Sequence, residues 1–369
     1  MVGRPTWAEV SLPRWRENFR AIRARVGSGI QIMAVVKADA YGHGAPEAAR
    51  ALAAEGAAWF GVTSASEAVG LRCAGLTHPI LLFSGFWPGE EEVLEAQRLT
   101  PSVFAEEQLG LLEAYGRKRG VRMPFHLKAD TGMRRLGIGD QDLAPFLQKL
   151  RGCEHAQLEG LYTHLASADH SLEQTRAQLE LFNQARRRVQ QAGFDPPWIH
   201  LANSAALALC PESHGTMVRP GLALYGYQLC DTPLRVAPVL SLKSRVVSLR
   251  QVPAGTAVGY GATHTTRAPA WIATVCAGYA DGVNRALSNR GRALVRGCFA
   301  PVVGRVNMDF TLLDVTGILG VQAGDEVVFI GRQGAAEITA VEVAELAGTI
   351  PYEILCNIGP RVPRMYLES

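Results

Sequence analysis

The sequence predicts two fold classes in succession, an N-terminal (β/α)8 TIM barrel of the α/β class and a C-terminal β-rich domain. Apolar strand-like runs alternate with helical stretches over about the first 230 residues, which is the rhythm and size of such a barrel. Near Pro233 the pattern changes to β-branched runs separated by Gly and Pro. We expect domains at 1–232 and 233–369, with residues 1–12 able to pair with the second.

The barrel elements follow one another in regular order. Residues 8–12 alternate apolar and polar side chains, which predicts a short strand, and residues 14–26 carry apolar side chains at helical spacing. Among the later helices we predict residues 106–118 and 172–191. The eight barrel strands are predicted at residues 32–36, 59–63, 79–83, 102–105, 124–128, 158–164, 198–201 and 216–219.

The second domain is predicted to hold mostly strands. Its only predicted helix, residues 339–347, begins at a threonine and ends before Gly348, which are common capping residues. The strands are predicted at residues 246–252, 271–276, 293–295, 301–306 and 325–330.

Composition argues against several classes of function. Apolar residues make up 48% of the 369 residues, enough for a substantial core, and the net charge of +3 is spread without a basic block. We therefore expect no nucleic-acid partner and no membrane partner. The seven cysteines are widely spaced without a CxxC pair, so neither a disulfide framework nor a metal site is predicted. No apolar leader or spanning run occurs, and a reducing cytoplasm fits best.

Polar residues recur at the ends of the predicted barrel strands, where functional groups of this fold lie. They are Lys37, Lys128, His164, His200 and Arg219. A single strand-end lysine usually just reaches water, but a polar group at five of eight strand ends favours a shared site. An amine held in such a site has a lowered pKa and can act as a nucleophile.

The last two loops of the predicted barrel suit a phosphate. Ser204 can donate a hydroxyl hydrogen bond, and Gly221 and Leu222 follow the eighth strand, where backbone N–H groups often hold a phosphate in this fold. Pro220-Gly221 taken alone is equally well an ordinary turn. Together with a nucleophilic lysine, however, a phosphate cradle suggests pyridoxal 5'-phosphate, whose aldehyde needs an amine.

The segment Ala34-Val-Val-Lys37-Ala-Asp-Ala-Tyr41-Gly-His-Gly44 closely resembles the pyridoxal-phosphate attachment motif of alanine racemases. The resemblance runs along essentially the whole chain and includes the change from barrel to β-rich domain. It implies an isomerase that interconverts L-alanine and D-alanine by a two-base mechanism, supplying D-alanine for cell-wall peptidoglycan. It also implies a homodimer whose active sites are shared between subunits.

The resemblance assigns roles residue by residue. Lys37 would attach the cofactor and act as one catalytic base, and Tyr260, in Val258-Gly-Tyr260-Gly, would be the second base, supplied by the partner subunit. Arg219 would face the pyridine nitrogen. The other cofactor-binding residues would be Tyr41, His164, Asn203, Ser204, Gly221, Leu222 and Tyr352. The substrate-binding residues would be Arg135 and, from the partner subunit, Met308 and Asp309.

Some positions allow two interpretations. Lys128 resembles a family position that is sometimes carbamylated, although an ordinary surface lysine–aspartate pair explains it equally well. His200 is either a core histidine or, by the resemblance, a residue behind the site, and His43 is expected to be structural.

Two positions depart from the family pattern. Arg134 adds a second arginine before Arg135, so either of the two side chains could point inward. The following Leu136-Gly137 favours Arg135. Asn307 stands where relatives vary, often with Cys or Ser, and could alter the polarity of the substrate pocket.

Three alternative functions stay open. A serine or broad-specificity racemase would share all these features. A basic amino-acid decarboxylase of the same fold usually has an acidic partner for the ring nitrogen and a Cys-containing motif in the β domain, where this chain has Arg219 and Asn307-Met-Asp309. A non-catalytic pyridoxal-phosphate carrier resembles the barrel alone.

Overall fold

The structure is a computed structural model that describes residues 4–368 of the chain. The chain forms two compact units. The first, the barrel unit, comprises Trp15–Ala40 and Ala45–Ala237. The second, the β-rich unit, comprises the N-terminal segment up to Arg14, the short segment Tyr41–Gly44 and the chain from Pro238 onward.

The barrel unit is built on eight parallel strands. They are β2 (Gln31–Val35), β3 (Trp59–Val62), β4 (Ile80–Leu82), β5 (Leu99–Val103), β6 (Met123–Lys128), β7 (Ala156–Tyr162), β8 (Trp198–His200) and β9 (Met217–Val218). The sheet runs in the order β8–β7–β6–β5–β4–β3–β2–β9. The N–H of Thr216 donates to the carbonyl of Ile199 over 2.8 Å, and that of Arg219 donates to Ala202 over 2.9 Å, which joins the two ends of the sheet. All eight strands therefore present their carboxyl ends at one rim.

Helices alternate with these strands. They are α1 (Leu12–Val26), α2 (Lys37–Gly42), α3 (Ala45–Ala54), α4 (Ala65–Cys73), α5 (Glu91–Ala96), α6 (Glu106–Arg119), α7 (Asp140–Arg151), α8 (Leu172–Gln191) and α9 (Ser204–Leu209). Helix α8 has the predicted limits because Ser171 caps its first turn, accepting the N–H of Gln174, and its apolar face buries Phe182 and Val189.

Helix α2 is left-handed, and the sequence rules did not predict it. The φ angles are 53° to 54° from Ala38 to Tyr41 and 78° at Gly42. Left-handed helical residues other than glycine cost roughly 1–2 kcal/mol each, because Cβ crowds the following carbonyl oxygen. Contacts from elsewhere in the chain must therefore stabilise this turn.

The β-rich unit holds a nine-stranded sheet and a small hairpin. Its strands are β1 (Trp7–Ser11), β10 (Leu240–Val252), β11 (Ala257–Val258), β12 (His264–Thr265), β13 (Ala270–Val275), β14 (Arg292–Val295), β15 (Cys298–Pro301), β16 (Thr311–Asp314), β17 (Glu326–Gln333), β18 (Ala336–Ile338) and β19 (Arg364–Leu367). Strand β1 pairs antiparallel with β10 and parallel with β19, so the first and last strands of residues 4–368 are neighbours in this sheet.

Two predictions for the β-rich unit were wrong. The strand predicted at residues 301–306 is instead β15, which ends at Pro301, because Gly304 turns the chain with a φ of 74°. The predicted helix exists as α10 (Ala340–Ala347), capped by Thr339 and Gly348, but it is not the only one. A second helix, α11 (Pro351–Cys356), has a proline at its first position, which is a common start of helices. The helix has only six residues, so its sequence offers little other signal.

Within residues 4–368, no helix has the length and apolarity needed to cross a membrane.

Candidate active site

Five basic side chains converge at the rim where the barrel strands end. Lys37 begins α2 directly after β2, Lys128 ends β6, and His164 and Arg219 lie just beyond β7 and β9. Burial and the positive charges of Arg219, Arg135, Lys128 and Lys37 together lower the pKa of His164 to about 3. These charges act on one another because the five side chains share one space, and His164 is neutral at neutral pH.

Lys128 is the second perturbed group of this rim. It is only 4% exposed, and burial, followed by the charges of Arg135 and Arg219, lowers its pKa to about 8, although Asp130 acts in the opposite direction. The ion pair of Asp130 is formed with Arg134, whose side chain is 76% exposed. The interpretation of Lys128 as half of a surface lysine–aspartate pair was therefore wrong.

Arg135 is the arginine of its loop whose charge reaches the rim. Its positive charge lowers the pKa values of both Lys128 and His164, whereas Arg134 faces solvent and pairs with Asp130 over 3.8 Å. Of the two candidates for a substrate-side arginine, Arg135 has the suitable position.

Arg219 is buried and held by acceptors on two of its three nitrogens. Nη1 donates to Nδ1 of His200 over 2.8 Å and to the His200 carbonyl over 2.6 Å. Nη2 donates to the carbonyls of Thr163 and Leu201 over 2.7 and 3.1 Å. Burial lowers the pKa of Arg219 to about 10, so it remains a cation at neutral pH. Among the described residues Nε has no hydrogen-bond acceptor, which leaves that N–H for a ligand.

A row of buried rings supports Arg219 from behind. Since Arg219 donates to Nδ1 of His200, the proton of His200 sits on Nε2, which donates to Nδ1 of His126 over 2.9 Å. Tyr162 stacks on His200 with centroids 4.6 Å apart and lies 5.2 Å below the guanidinium of Arg219. The prediction of His200 as a residue behind the site agrees with this contact.

Sequence reasoning missed His126 and Tyr162. A signal for His126 was available, because it stands two residues before Lys128 on the same strand and so points to the same face. Tyr162, whose hydroxyl lies 2.6 Å from Ser102, carried a similar signal, because it stands two residues before His164 on the strand predicted at 158–164.

The predicted phosphate loops come together around one hydroxyl. Oγ of Ser204 accepts the N–H of Gly221 over 2.9 Å and that of Ala223 over 3.2 Å. Asn203 caps α9 by accepting the N–H of Ala206 over 3.0 Å, which fixes Ser204 as the first helical residue. Because both N–H groups are used on Oγ, the proton of the Ser204 hydroxyl is left to donate to a phosphate oxygen.

Tyr41 and Tyr352 form a pair inside the β-rich unit. Their ring centroids are 5.8 Å apart with an interplanar angle of 41°. Burial, followed by the proximity of Tyr352 and Cys356, raises the pKa of Tyr41 far above its ordinary value. Tyr41 is therefore a hydroxyl donor and not a base. His43 is fully buried and its Nδ1 lies 2.9 Å from the carbonyl of Tyr41, as expected for a structural residue.

Tyr260 is presented to solvent by the β-rich unit. It lies between Gly259 and Gly261, whose φ angles of 74° and 72° give a turn that small residues adopt readily, and its side chain is 71% exposed. It opens onto a groove of about 620 Å³ whose other lining residues are Tyr279, Arg285, Arg305, Val306, Asn307, Met308, Asp309 and Phe310. Tyr260, Met308 and Asp309 thus share one surface.

An ion-pair cluster fixes the loop that carries Met308 and Asp309. Arg361 donates to both oxygens of Asp281 over 2.8 and 3.0 Å and contacts Asp309 over 2.8 Å. Arg4 adds a hydrogen bond of 2.7 Å to the Asp309 carbonyl and an ion pair with Asp281. Since the Asp281 side chain is only 1% exposed, the loop is anchored to the interior of the unit.

Asn307 contributes its backbone more than its side chain. Its carbonyl accepts the N–H of Tyr279 over 2.9 Å. The buried Oδ1 of Asn307 has no hydrogen-bond donor among the residues that the structure describes.

Two family models cover almost the whole chain. "Alanine racemase, N-terminal domain" matches residues 10–229, and "Alanine racemase, C-terminal domain" matches residues 239–366. The alanine racemase of Symbiobacterium thermophilum is 45% identical over 98% of this chain and 97% of its own length. That of Halothermothrix orenii is 42% identical over 99% of this chain and 97% of its own.

Solved structures agree with these sequence matches. The alanine racemase of Bacillus anthracis with bound L-Ala-P superposes with a TM-score of 0.95 at 37% identity, covering 100% of this chain and 96% of its own. That of Bartonella henselae with covalently bound pyridoxal phosphate superposes with a TM-score of 0.90 at 30% identity, covering 98% of this chain and 99% of its own.

Proposed function

Because this chain belongs to the alanine racemase family, we propose that it interconverts L- and D-alanine with pyridoxal 5'-phosphate attached to Lys37, in active sites shared by two copies of the chain. The family activity is that of an isomerase, and its standard role is to supply D-alanine for peptidoglycan. The observation that carries the cofactor assignment is the free Nε–H of Arg219 at the rim where Lys37, Lys128 and His164 converge.

The residues of the barrel rim fit the cofactor group by group. Lys37 would supply the amine that its aldehyde requires, and the Ser204 hydroxyl, which accepts the N–H groups of Gly221 and Ala223, would donate its proton to the phosphate. By the resemblance to the family, Tyr41 and Tyr352 would also hold the phosphate, with Asn203 near it. When bound, pyridoxal phosphate withdraws electrons from the α-carbon of an attached amino acid, which makes the α-proton removable.

Arg219 would set the charge at the ring nitrogen. Its Nε–H can donate a hydrogen bond, but a guanidinium that stays protonated at neutral pH has no acceptor site for a proton. A pyridine nitrogen facing Arg219 would therefore receive no proton from it, and the cofactor would withdraw electrons less strongly than one that faces a carboxylate. A weaker electron sink favours return of the α-proton over side reactions such as transamination.

Racemisation needs a proton carrier on each face of the α-carbon. The Lys37 amine serves one face and the Tyr260 phenol of the partner subunit serves the other. A phenol with an ordinary pKa of about 10 needs a nearby positive charge to give up its own proton and act as a base near neutral pH, and Arg135 and the imidazoles are the candidates for that charge. General acid–base catalysis of this kind contributes about 10²- to 10⁴-fold.

The exposed face around Tyr260 supports the shared site. Tyr260 is 71% exposed, Met308 53% and Phe310 38%, so one surface carries both the second base and apolar side chains. Contiguous apolar exposure of this kind suits a protein partner. Met308 and Asp309, fixed by the Arg361–Asp281 cluster, would approach the substrate carboxylate in the site of the other subunit.

We also propose that the enzyme works in the cytoplasm. The exposed thiols of Cys73 and Cys298 are free, and a reducing compartment keeps such thiols reduced. Fractionation of cells with an antibody against the chain tests this location.

A panel assay tests the activity and its specificity. Purified protein with added pyridoxal phosphate is incubated with a series of L-amino acids, and products are separated by chirality while carbon dioxide is collected. We expect D-alanine from L-alanine and little D-isomer from other substrates. Comparable rates with serine would favour the broad-specificity alternative, and carbon dioxide release without racemisation would favour a decarboxylase.

A further inference from the structure

The left-handed helix α2 begins at the proposed cofactor lysine. Four consecutive residues other than glycine, Ala38 to Tyr41, have φ angles near 53°, and Ala40 and Tyr41 are buried. Strained backbone persists only where the surroundings over-determine it, and it is concentrated at functional sites. The groups that hold α2 in place therefore bear on how Lys37 is presented.

A carboxylate holds the beginning of α2. Oε1 of Glu67 accepts the N–H of Ala38, the residue after Lys37, over 2.6 Å. Oε2 of the same side chain accepts the N–H of Thr63, at the end of β3, over 2.7 Å. Both oxygens of one carboxylate are thus used on backbone N–H groups, which ties the first turn of α2 to the loop before α4.

A guanidinium holds the end of α2. Nε of Arg364 donates to the carbonyl of Gly42 over 3.0 Å, while its two other nitrogens donate to the carbonyls of Ile358, Gly359 and Val362 over 2.6 to 2.8 Å. Because all three nitrogens of the guanidinium are engaged, its plane and position are fixed. Tyr366 adds a hydrogen bond of 3.2 Å from its hydroxyl to the carbonyl of His43.

We propose that Glu67 and Arg364 are positioning residues that keep α2 left-handed and thereby set the direction in which Lys37 presents its amine. Both side chains would act through the backbone of α2 and not through a contact of their own with substrate or cofactor. The inference deepens the proposed function and rests on it, since the direction of Lys37 matters for catalysis only if Lys37 holds the cofactor.

A simpler role for Glu67 has to be separated from this one. Glu67 is the third residue of α4, and its N–H donates to Oγ of Ser64, the cap of that helix, over 3.4 Å. It could therefore serve only to begin α4, as acidic residues at this position do. Ser64→Ala removes the cap and leaves the Ala38 hydrogen bond in place, which makes it a matched control.

The first test measures amide exchange by mass spectrometry in the purified full-length protein. Glu67→Gln keeps the shape of the side chain but replaces one acceptor oxygen with an NH2 group, which cannot accept an N–H. We expect peptides covering residues 37–44 to exchange their amide hydrogens about tenfold faster in this variant. The reason is that the hydrogen bond from Ala38 to the Glu67 carboxylate no longer opposes local opening of the α2 backbone. Unchanged exchange there would overturn the proposal, and so would equal acceleration in Ser64→Ala.

The second test separates kcat from KM. In Glu67→Gln and Arg364→Lys we expect kcat to fall about tenfold with the KM for alanine nearly unchanged, since the substrate-binding groups are untouched. Arg332→Ala, which removes an exposed guanidinium paired with Glu337 over 2.8 Å, is the control and should retain wild-type kcat. A rise in KM alone in Glu67→Gln and Arg364→Lys would contradict a role in presenting Lys37.

The two levels of the hypothesis fail differently. If borohydride reduction of the wild-type protein fixes no cofactor on Lys37, the proposed function fails. If the wild-type protein is labelled at Lys37 and both Glu67→Gln and Arg364→Lys match it in exchange and kcat, the proposed function stands and the positioning role is excluded.

Discussion

At the scale of single residues, the chemistry of the barrel rim depends on which groups carry a charge. Arg219 remains a cation although burial lowers its pKa to about 10. His164, whose pKa falls to about 3, is neutral beside it. Lys128 loses its proton within reach of ordinary buffers. These states follow from burial and from the number of positive charges in one place.

Replacing Arg219 by glutamate should change the reaction that the site performs. A carboxylate at this position would keep the pyridine nitrogen protonated and make the ring a stronger electron sink, so Arg219→Glu should raise side transamination. The measurement is the ratio of pyruvate to D-alanine formed from L-alanine, which does not depend on the fraction of folded protein. We expect this ratio to rise about tenfold or more, corresponding to about 1.4 kcal/mol. The same ratio in Arg219→Glu and wild type would contradict the assigned role.

Lys128 should make stability depend on pH in the alkaline range. Its pKa is about 8 in the folded protein against 10.5 unfolded, so the unfolded chain binds more protons between these values. The free energy of unfolding therefore rises from about pH 8 to pH 10.5 by about 3 kcal/mol from this group. Lys128→Met removes this contribution. In urea unfolding free of carbon dioxide, its stability advantage over wild type should be largest at pH 7 and shrink by pH 10, and parallel profiles would contradict the buried amine.

At the scale of elements, α2 leads from the proposed cofactor lysine to two glycines, Gly42 and Gly44, at which a Cβ would meet a neighbouring atom. A Cβ on Gly42 would lie 2.2 Å from the carbonyl oxygen of Leu355, and one on Gly44 would lie 1.8 Å from the hydroxyl of Tyr366. These distances explain why Lys-Ala-Asp-Ala-Tyr-Gly-His-Gly places glycine at both positions.

Gly42→Ala should therefore destabilise the protein more than a positive φ alone explains. Gly27 is the matched control, because its φ of 84° resembles the 78° of Gly42 but nothing lies within 4 Å of a Cβ there. We expect about 1 kcal/mol for Gly27→Ala and about 2–4 kcal/mol for Gly42→Ala, where displacement of backbone is added. Thermal unfolding at equal cofactor saturation measures both, and equal losses would contradict the contact with Leu355.

The sequence predicted the elements that follow local rules and missed those that do not. The barrel strands were found because buried runs alternate with helices, and α10 because Thr339 and Gly348 mark its ends. The left-handed α2 was missed because intrinsic propensities oppose it and only tertiary contacts stabilise it. The contacts of His126 and Tyr162 with His200 could not be predicted for a related reason, since residues far apart in the chain meet only once the barrel closes.

At the scale of the whole molecule, the proposed function requires two copies of the chain. The barrel unit carries Lys37 and the β-rich unit carries Tyr260 on an exposed face. One copy would supply the lysine of a site and the other would supply its tyrosine.

Mixing two inactive variants tests this arrangement. Lys37→Ala and Tyr260→Phe should each lose nearly all activity, because each removes one of the two bases. After subunit exchange the mixed dimer contains one site with both bases, so about a quarter of wild-type activity should return at equal amounts. Differently tagged chains co-purified from the mixture establish that exchange occurred. Exchange without recovered activity would exclude the shared site.

The row of rings behind Arg219, formed by His200 and His126, has a consequence for proton transfer. Arg219 donates to His200, and His200 donates to His126, so the N–H groups of both hydrogen bonds point away from the proposed cofactor site. Reversing the row would require the guanidinium to give up a proton. In the proposed site, this row would therefore deliver no exchangeable proton from the protein interior to a ring nitrogen that faces Arg219.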